Sequence, residues 1–244
     1  MLEFQSATLR YGATVALDSV DLSINSGEQV CLIGPSGAGK SSLLGLSNGR
    51  IATTSGKVVL NDQDLGELSG KALKKVRAEI AWVPQDLGLV PNLRVNQNVA
   101  CGRAAQKGFW GLMKSLLFMG RAEKEVVSGL LKRVGIEEKI FARVDHLSGG
   151  QQQRVAIARA LYQEPQMILA DEPVSAVDPE RAKSLVELLT TIAREEKMTL
   201  IMSLHDVELA KRYFDRVVGM RDGRIVLDGS PDDEGVKELY RLDQ

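Results

Sequence analysis

Eight consecutive residues, Gly34-Pro35-Ser36-Gly37-Ala38-Gly39-Lys40-Ser41, combine three glycines, an ammonium and a hydroxyl in the pattern G-x-x-x-x-G-K-[ST]. A polyphosphate is bulky and multiply charged, so a loop that holds it must present bare backbone N–H groups, and side chains would block that approach. Lys40 is spaced to reach the outer phosphates and Ser41 to offer its hydroxyl to Mg²⁺, with Ser42 continuing the contact at the start of a helix whose positive end adds attraction. A second cluster, Asp171-Glu172, closes the apolar run 167–170. A carboxylate at the C-terminal end of a buried strand sits at the ligand-binding edge of an α/β sheet, which suits Asp171 to a metal ion and Glu172 to a water molecule as general base. A surface ion pair is the plain alternative for Asp171-Glu172, and a ligand-free glycine turn for residues 34–41.

A third cluster, Leu147-Ser148-Gly149-Gly150-Gln151, precedes the helical stretch 155–161. A hydroxyl, two glycines and a helix N-terminus form another place where an oxyanion could rest.

The elements that would carry these clusters alternate in type. Residues 2–9 and 20–24 alternate apolar with polar, as half-buried antiparallel strands do, whereas 29–33, 167–170 and 199–204 are short continuous apolar runs suited to strands buried on both faces. The glycine loop lies between the strand 29–33 and a helical stretch at 42–47. Residues 87–163 lose strand-like runs and read as several helices broken at Gly102, Gly108, Gly120 and Gly135. The runs 216–220 and 224–227 flank Asp222-Gly223 and predict a hairpin. The expectation is an α/β fold with a P-loop core built on a mainly parallel sheet, an N-terminal antiparallel β part and an inserted helical subdomain. Its parts are 1–86 and 164–244 for the core and 87–163 for the helical subdomain, within one domain spanning 1–244.

Bulk properties narrow the class. Over 244 residues, 44% are hydrophobic and 26% charged, as in ordinary globular chains, and the net charge of −1 carries no basic excess for nucleic acid. Cys31 and Cys101 are too few and too far apart for a disulfide framework or a zinc site. No run of about 18 apolar residues is present for a membrane span, and the first residues lack a signal-peptide core, so any membrane connection is expected to run through a partner.

The 147–151 cluster, joined to the glycine loop in one chain, resembles the signature sequence of ATP-binding-cassette (ABC) ATPases, and the resemblance extends from Tyr11 to about Gly229. It implies ATP and Mg²⁺ as cofactors, with Ser41, Gln85 and Asp171 at the metal. It implies that Tyr11 stacks on adenine, Gln85 in Val83-Pro84-Gln85-Asp86 senses the γ-phosphate, Asp178 bridges two subunits, and His205 acts as the switch histidine. The Pro173-Val174-Ser175-Ala176-Val177 stretch departs from the commoner Thr and Leu of the family but keeps Asp178. Family geometry further implies a head-to-tail homodimer, with Ser148, Gly149, Gly150 and Gln151 of one copy capping the phosphate that Lys40 of the other holds. A cassette without membrane helices resembles the ATPase subunit of a bacterial importer at the cytoplasmic face of the cell membrane, with a separate permease and, indirectly, a solute-binding protein. Pro173-Val174, Leu204-His205-Asp206-Val207 with Ala210 and Arg212-Tyr213, and an apolar insert within 102–121 resemble the phosphonate-import subunit. The other reading is a cassette of another importer, or of a lipoprotein-release or membrane-remodelling complex. The insert, with Phe109-Trp110, Leu112-Met113 and Leu116-Leu117-Phe118, reads either as a permease-docking surface or as internal packing.

Overall fold

The computed structural model describes residues 1–174, 178–230, 235, 239 and 240. The chain forms an antiparallel sheet stacked on a mainly parallel one. Strands β1 (Leu2–Tyr11) and β2 (Thr14–Ile24) pair as a hairpin. Next come β3 (Gln29–Ile33), helix α1 (Lys40–Ser47), β4 (Ser55–Leu60) and the short β5 (Gln63–Asp64). Strand β4 lies antiparallel to β1 on its other side, which gives the order β2-β1-β4-β5. Helix α2 (Gly70–Ala78) leads into β6 (Ile80–Val83).

Four helices then follow without an intervening strand: α3 (Val95–Ala100), α4 (Ala104–Leu117), α5 (Arg121–Arg133) and α6 (Gly149–Tyr162). The expected glycine breaks fall at their boundaries or kinks, since Gly108 has φ 66° inside α4, Gly120 caps α5 and Gly135 has φ 73° just after α5. The chain returns through β7 (Met167–Asp171), α7 (Pro179–Glu195), β8 (Thr199–Ser203), α8 (Val207–Tyr213), β9 (Arg216–Arg221) and β10 (Arg224–Gly229). The second sheet has the order β10-β9-β3-β8-β7-β6 and is parallel except for the edge hairpin β9–β10. This is the α/β architecture that the alternating elements predict, with β4, β5 and β6 as strands additional to those read from the sequence. The tail, expected as a loop and a short helix over 230–244, falls mostly outside the described residues, as do Ser175, Ala176 and Val177.

The period of two in the parallel strands divides the core in two. Cys31, Ile33, Ala81, Val83, Ile168, Ala170, Leu200 and Met202 face the helices α3, α5, α6 and α7. Val30, Leu32, Ile80, Met167, Leu169 and Ile201 face α1 and the antiparallel sheet, where Leu2, Phe4, Leu43 and Leu44 meet them. Arg216 ties the layers together at one end: its guanidinium is 2.7 Å from Asp228 and 2.8 Å from Glu28, and it donates to the Ser23 carbonyl at 2.9 Å.

A polar knot holds α4 against α5 and α6. Lys107 is ion-paired with Glu123, whose carboxylate also accepts hydrogen bonds from Tyr162 Oη at 2.8 Å and Ser115 Oγ at 3.0 Å. Burial alone would raise the pKa of Glu123, but the bonds from Lys107, Tyr162 and Ser115 outweigh it and hold the carboxyl below the usual carboxylate range. A carboxyl lowered in the folded state stabilises the fold above its unfolded pKa, and the contribution disappears as pH falls through the folded value. Glu123→Gln is therefore expected to lower Tm at pH 7 by about 3 °C, corresponding to about 1 kcal/mol after screening by water. The gap between mutant and wild type should shrink below about pH 4, measured by thermal melts across pH.

Candidate functional site

The phosphate cradle starts where β3 ends. Gly34 has φ 145°, and a Cβ on it would sit 2.1 Å from the Met220 carbonyl oxygen in β9, so no side chain fits. Gly39, with φ 104°, is pressed against the Ala16 carbonyl of β2. Gly37, with φ 84°, meets nothing within 4 Å on the side a Cβ would take, so the loop is closed behind and open in front. Lys40, buried in the first turn of α1, donates to the carbonyls of Gly34 at 2.8 Å and Pro35 at 3.1 Å. Burial lowers its pKa, partly offset by the charges of Glu172 and Asp171. An ammonium folded back onto its own loop, above bare amides and a helix N-terminus, fits a polyphosphate.

Opposite the cradle, β7 brings Asp171 to the same edge. Asp171 is buried, and its Oδ1 accepts from Ser41 Oγ at 3.1 Å and Ser203 Oγ at 2.9 Å. Glu172 follows in the left-handed region, φ 46°. This turn aims its carboxylate into the cavity, where Oε2 accepts from Gln85 Nε2 at 3.1 Å and Oε1 lies 2.5 Å from His205 Nε2. Gln85 follows β6 after one intervening proline, and His205 comes two residues after β8, so the two parallel strands that flank β7 deliver both groups to the edge where Glu172 sits.

The cavity these groups line has a volume of about 330 Å³, with Ser36, Gly37, Ala38, Gly39, Lys40, Ser41, Ser42, Gln85, Glu172 and His205 in its walls together with Ala16. Of the sequence-derived residues, Gly34, Pro35 and Asp171 adjoin that wall without lining it, and Tyr11, the 148–151 cluster and Asp178 stand apart from it. Tyr11 is 53% exposed at the end of β1. Ser148 caps α6 through a capping box, its Oγ accepting from the Gln151 N–H at 3.4 Å while its own N–H donates to Gln151 Oε1 at 3.1 Å. Asp178 caps α7, accepting from the Arg181 N–H at 3.1 Å, and the Arg181 side chain lies beside both Asp178 and Gly150.

Three further groups escaped the sequence reading. Ala16 lines the cavity, Ser203 binds Asp171, and Tyr240 accepts a hydrogen bond from the Gly34 N–H at 3.2 Å. Only Ser203 left a sequence signal, as a hydroxyl ending an otherwise apolar run. The loop-helix cradle facing a carboxylate pair across a parallel sheet defines a P-loop ATPase.

Comparison with known proteins resolves the class further. A family model described as ABC transporter matches residues 17–175. The chain is 41% identical to the "Phosphonates import ATP-binding protein PhnC" of Frankia casuarinae over 98% of this chain and 96% of the relative. The protein of the same name from Lactococcus lactis subsp. lactis is also 41% identical, over 98% and 96%. Among solved structures, an ATP-binding cassette in a dimeric post-hydrolysis state with ADP and phosphate superimposes with a TM-score of 0.83 and 30% identity, covering 95% of this chain and 99% of that one. CbiO1 from Clostridium perfringens, part of an ABC transporter complex, gives 0.82 at 30% identity over 98% and 91%. The chain belongs to the ABC transporter family, and it is an ATP-binding ATPase of that family.

The closed back and open front of the cradle separate two substitutions. Gly34→Ala must displace β9 backbone, and is expected to lower Tm by about 10 °C or abolish folding. Gly37→Ala should cost only about 1–2 kcal/mol of backbone strain and leave a folded protein. Its methyl group would nevertheless weaken binding of a fluorescent ATP analogue by about tenfold or more, read by titration.

Proposed function

We propose that this chain is the ATP-hydrolysing subunit of an ABC importer, working as a homodimer that closes on Mg²⁺-ATP and drives a separate permease. The observation that carries the dimer is the separation of the two phosphate-binding motifs. Lys40 and Glu172 line one cavity, whereas residues 148–151 stand outside it, so each copy holds an incomplete pair of half-sites. Two copies arranged head to tail complete both, with Ser148, Gly149, Gly150 and Gln151 capping the γ-phosphate and the Asp178 loop crossing the interface. We take 87–163 as the helical subdomain that carries this cap and 1–86 with 164–244 as the core.

The residues divide the work by chemistry. The loop amides and Lys40 hold the phosphates, while Tyr11 receives the adenine. Ser41, Gln85 and Asp171 would hold Mg²⁺, which when bound would neutralise charge on the outer phosphates. Glu172 takes the proton of the attacking water as its oxygen bonds to the γ-phosphorus and the bond to the β-phosphate oxygen breaks. His205, already beside Glu172, is placed to touch the γ-phosphate, and Gln85 links this event to the helical subdomain. Once phosphate leaves, the cap loses its contacts and the dimer opens.

The permease reading draws on α4. Among the described residues, no helix is long and apolar enough to cross a membrane. Phe109, Trp110, Leu117 and Phe118 are 65–82% exposed, so these four side chains are not internal packing. A cleft of about 420 Å³ lined by Arg50, Arg77, Trp82, Gly102 and Arg159 lies on the adjoining surface. We assign this surface to the permease's cytosolic segment, which places the chain at the cytoplasmic face of the cell membrane, with a solute-binding protein acting on the far side. The relatives' names favour a phosphonate or related phosphorus compound as the solute.

Two measurements test the reading. Glu172→Gln is expected to slow ATP hydrolysis by about 10²–10⁴-fold while leaving ATP affinity within about threefold; normal turnover would remove the base assignment. Replacing Trp110 and Phe118 by serine should leave ATP binding and Tm nearly unchanged while abolishing co-purification with the permease; retained assembly would disconnect α4 from docking.

A further inference from the structure

Ser203 is the last residue of β8, and the parallel register places it directly across from Asp171. Its side chain is fully buried, at the end of the buried apolar run Leu200, Ile201 and Met202. A hydroxyl in such a position persists only when both its donor and its acceptor capacity are used. Both are used on the site: Ser203 Oγ–H donates to Asp171 Oδ1 at 2.9 Å, and the oxygen accepts the Glu172 N–H at 2.8 Å.

The second bond matters because of where Glu172 sits. Its φ of 46° is a left-handed conformation that a non-glycine residue holds only when its surroundings fix it. That turn is what separates the direction of the Asp171 carboxylate, toward Ser41, from that of the Glu172 carboxylate, toward Gln85 and His205. The hydroxyls of Ser41 and Ser203 converge on Oδ1 of Asp171, and among the described residues no hydrogen bond reaches Oδ2. One buried oxygen atom therefore connects the carboxylate assigned to the metal with the backbone that aims the carboxylate assigned to water.

We propose that Ser203 is a positioning residue that sets the spacing and relative orientation of Asp171 and Glu172, coupling the metal side of the site to the water side. This rests on the roles assigned to those two carboxylates above. Removing the hydroxyl frees Asp171 to rotate and leaves the Glu172 amide unpaired in a strained turn, so metal and water should both lose alignment. Outer-shell partners of this kind typically change metal affinity or activity by about 10–100-fold when lost.

The test uses the full chain with Ser203→Ala, Ser203→Thr and Ser203→Cys. For the alanine variant, affinity for a fluorescent ATP analogue in EDTA should stay within about twofold of wild type. The Mg²⁺ concentration giving half-maximal enhancement of that binding should rise about tenfold, kcat should fall about tenfold or more with KM little changed, and the Glu172 amide should lose hydrogen-exchange protection in the nucleotide-free protein. Threonine, which keeps the hydroxyl, should restore all three. If the alanine variant does not fold, the isosteric cysteine, a weak donor and acceptor, is judged by the same readouts. A fall in Tm with an unchanged Mg²⁺ midpoint and kcat would overturn the proposal and leave Ser203 a stabilising strand end. Failure of the base assignment shows separately as a fully active Glu172→Gln protein.

Discussion

The structure depends on how tightly the loop from Gly34 to Gly39 is pressed against backbone behind it. Bare amides can hold a polyphosphate only if nothing intervenes on the ligand side and nothing yields on the other. The Met220 carbonyl of β9 stands behind Gly34 and the Ala16 carbonyl of β2 behind Gly39, so one sheet supports each end of the loop. The cradle is therefore a product of stacking two sheets, and neither sheet alone would shape it. Tyr240 adds a third support by accepting the Gly34 N–H.

The same stacking explains where the carboxylates and their partners appear. In the parallel sheet, strands β6, β7 and β8 end in step, and their ends supply Gln85, Asp171 with Glu172, and Ser203 with His205. Each strand is apolar on both faces, so polar groups concentrate where the strands stop. Asp171 survives in that buried position because two hydroxyls, from Ser41 and Ser203, replace the water it gives up.

Much of this was legible in the residues. The glycine loop and Asp171-Glu172 stand out by residue type and spacing and meet at one sheet edge, Ser148 marks the start of α6, and the continuous apolar runs locate β3, β7 and β8. The strands β4 and β6 were less visible. Strand β6 has four residues, and β4 opens on Ser55-Gly56-Lys57, which carries no alternation. The antiparallel sheet also breaks its own period: Ser6 and Ser19 have positive φ, and the β1–β2 register shifts beside Ser6, so Leu2 and Phe4 are followed by buried Ala7, Thr8 and Leu9. Ser203 and Ala16 were hidden for a different reason. Their importance lies in a neighbour brought from more than twenty residues away, which no local pattern encodes. Glycines at 102, 120 and 135 mark helix boundaries and Gly108 a kink within α4, whereas the exposure of α4 follows only from seeing Lys107, Ser115, Glu123 and Tyr162 bind on its inner side.

The Arg216 clamp carries a mechanical consequence. Its guanidinium grips Asp228 in β10, Glu28 just before β3 and the Ser23 carbonyl of β2, joining the edge hairpin, the parallel sheet and the antiparallel sheet at one point. Arg224, beside the turn at the other end of the β9–β10 hairpin, pairs with Asp18 of β2 at 2.6 Å, so the hairpin is tied to the antiparallel sheet at both of its ends. A hairpin pinned at both ends resists sliding along the sheet it is pinned to, so the edge strands and the antiparallel layer are constrained to act as one piece.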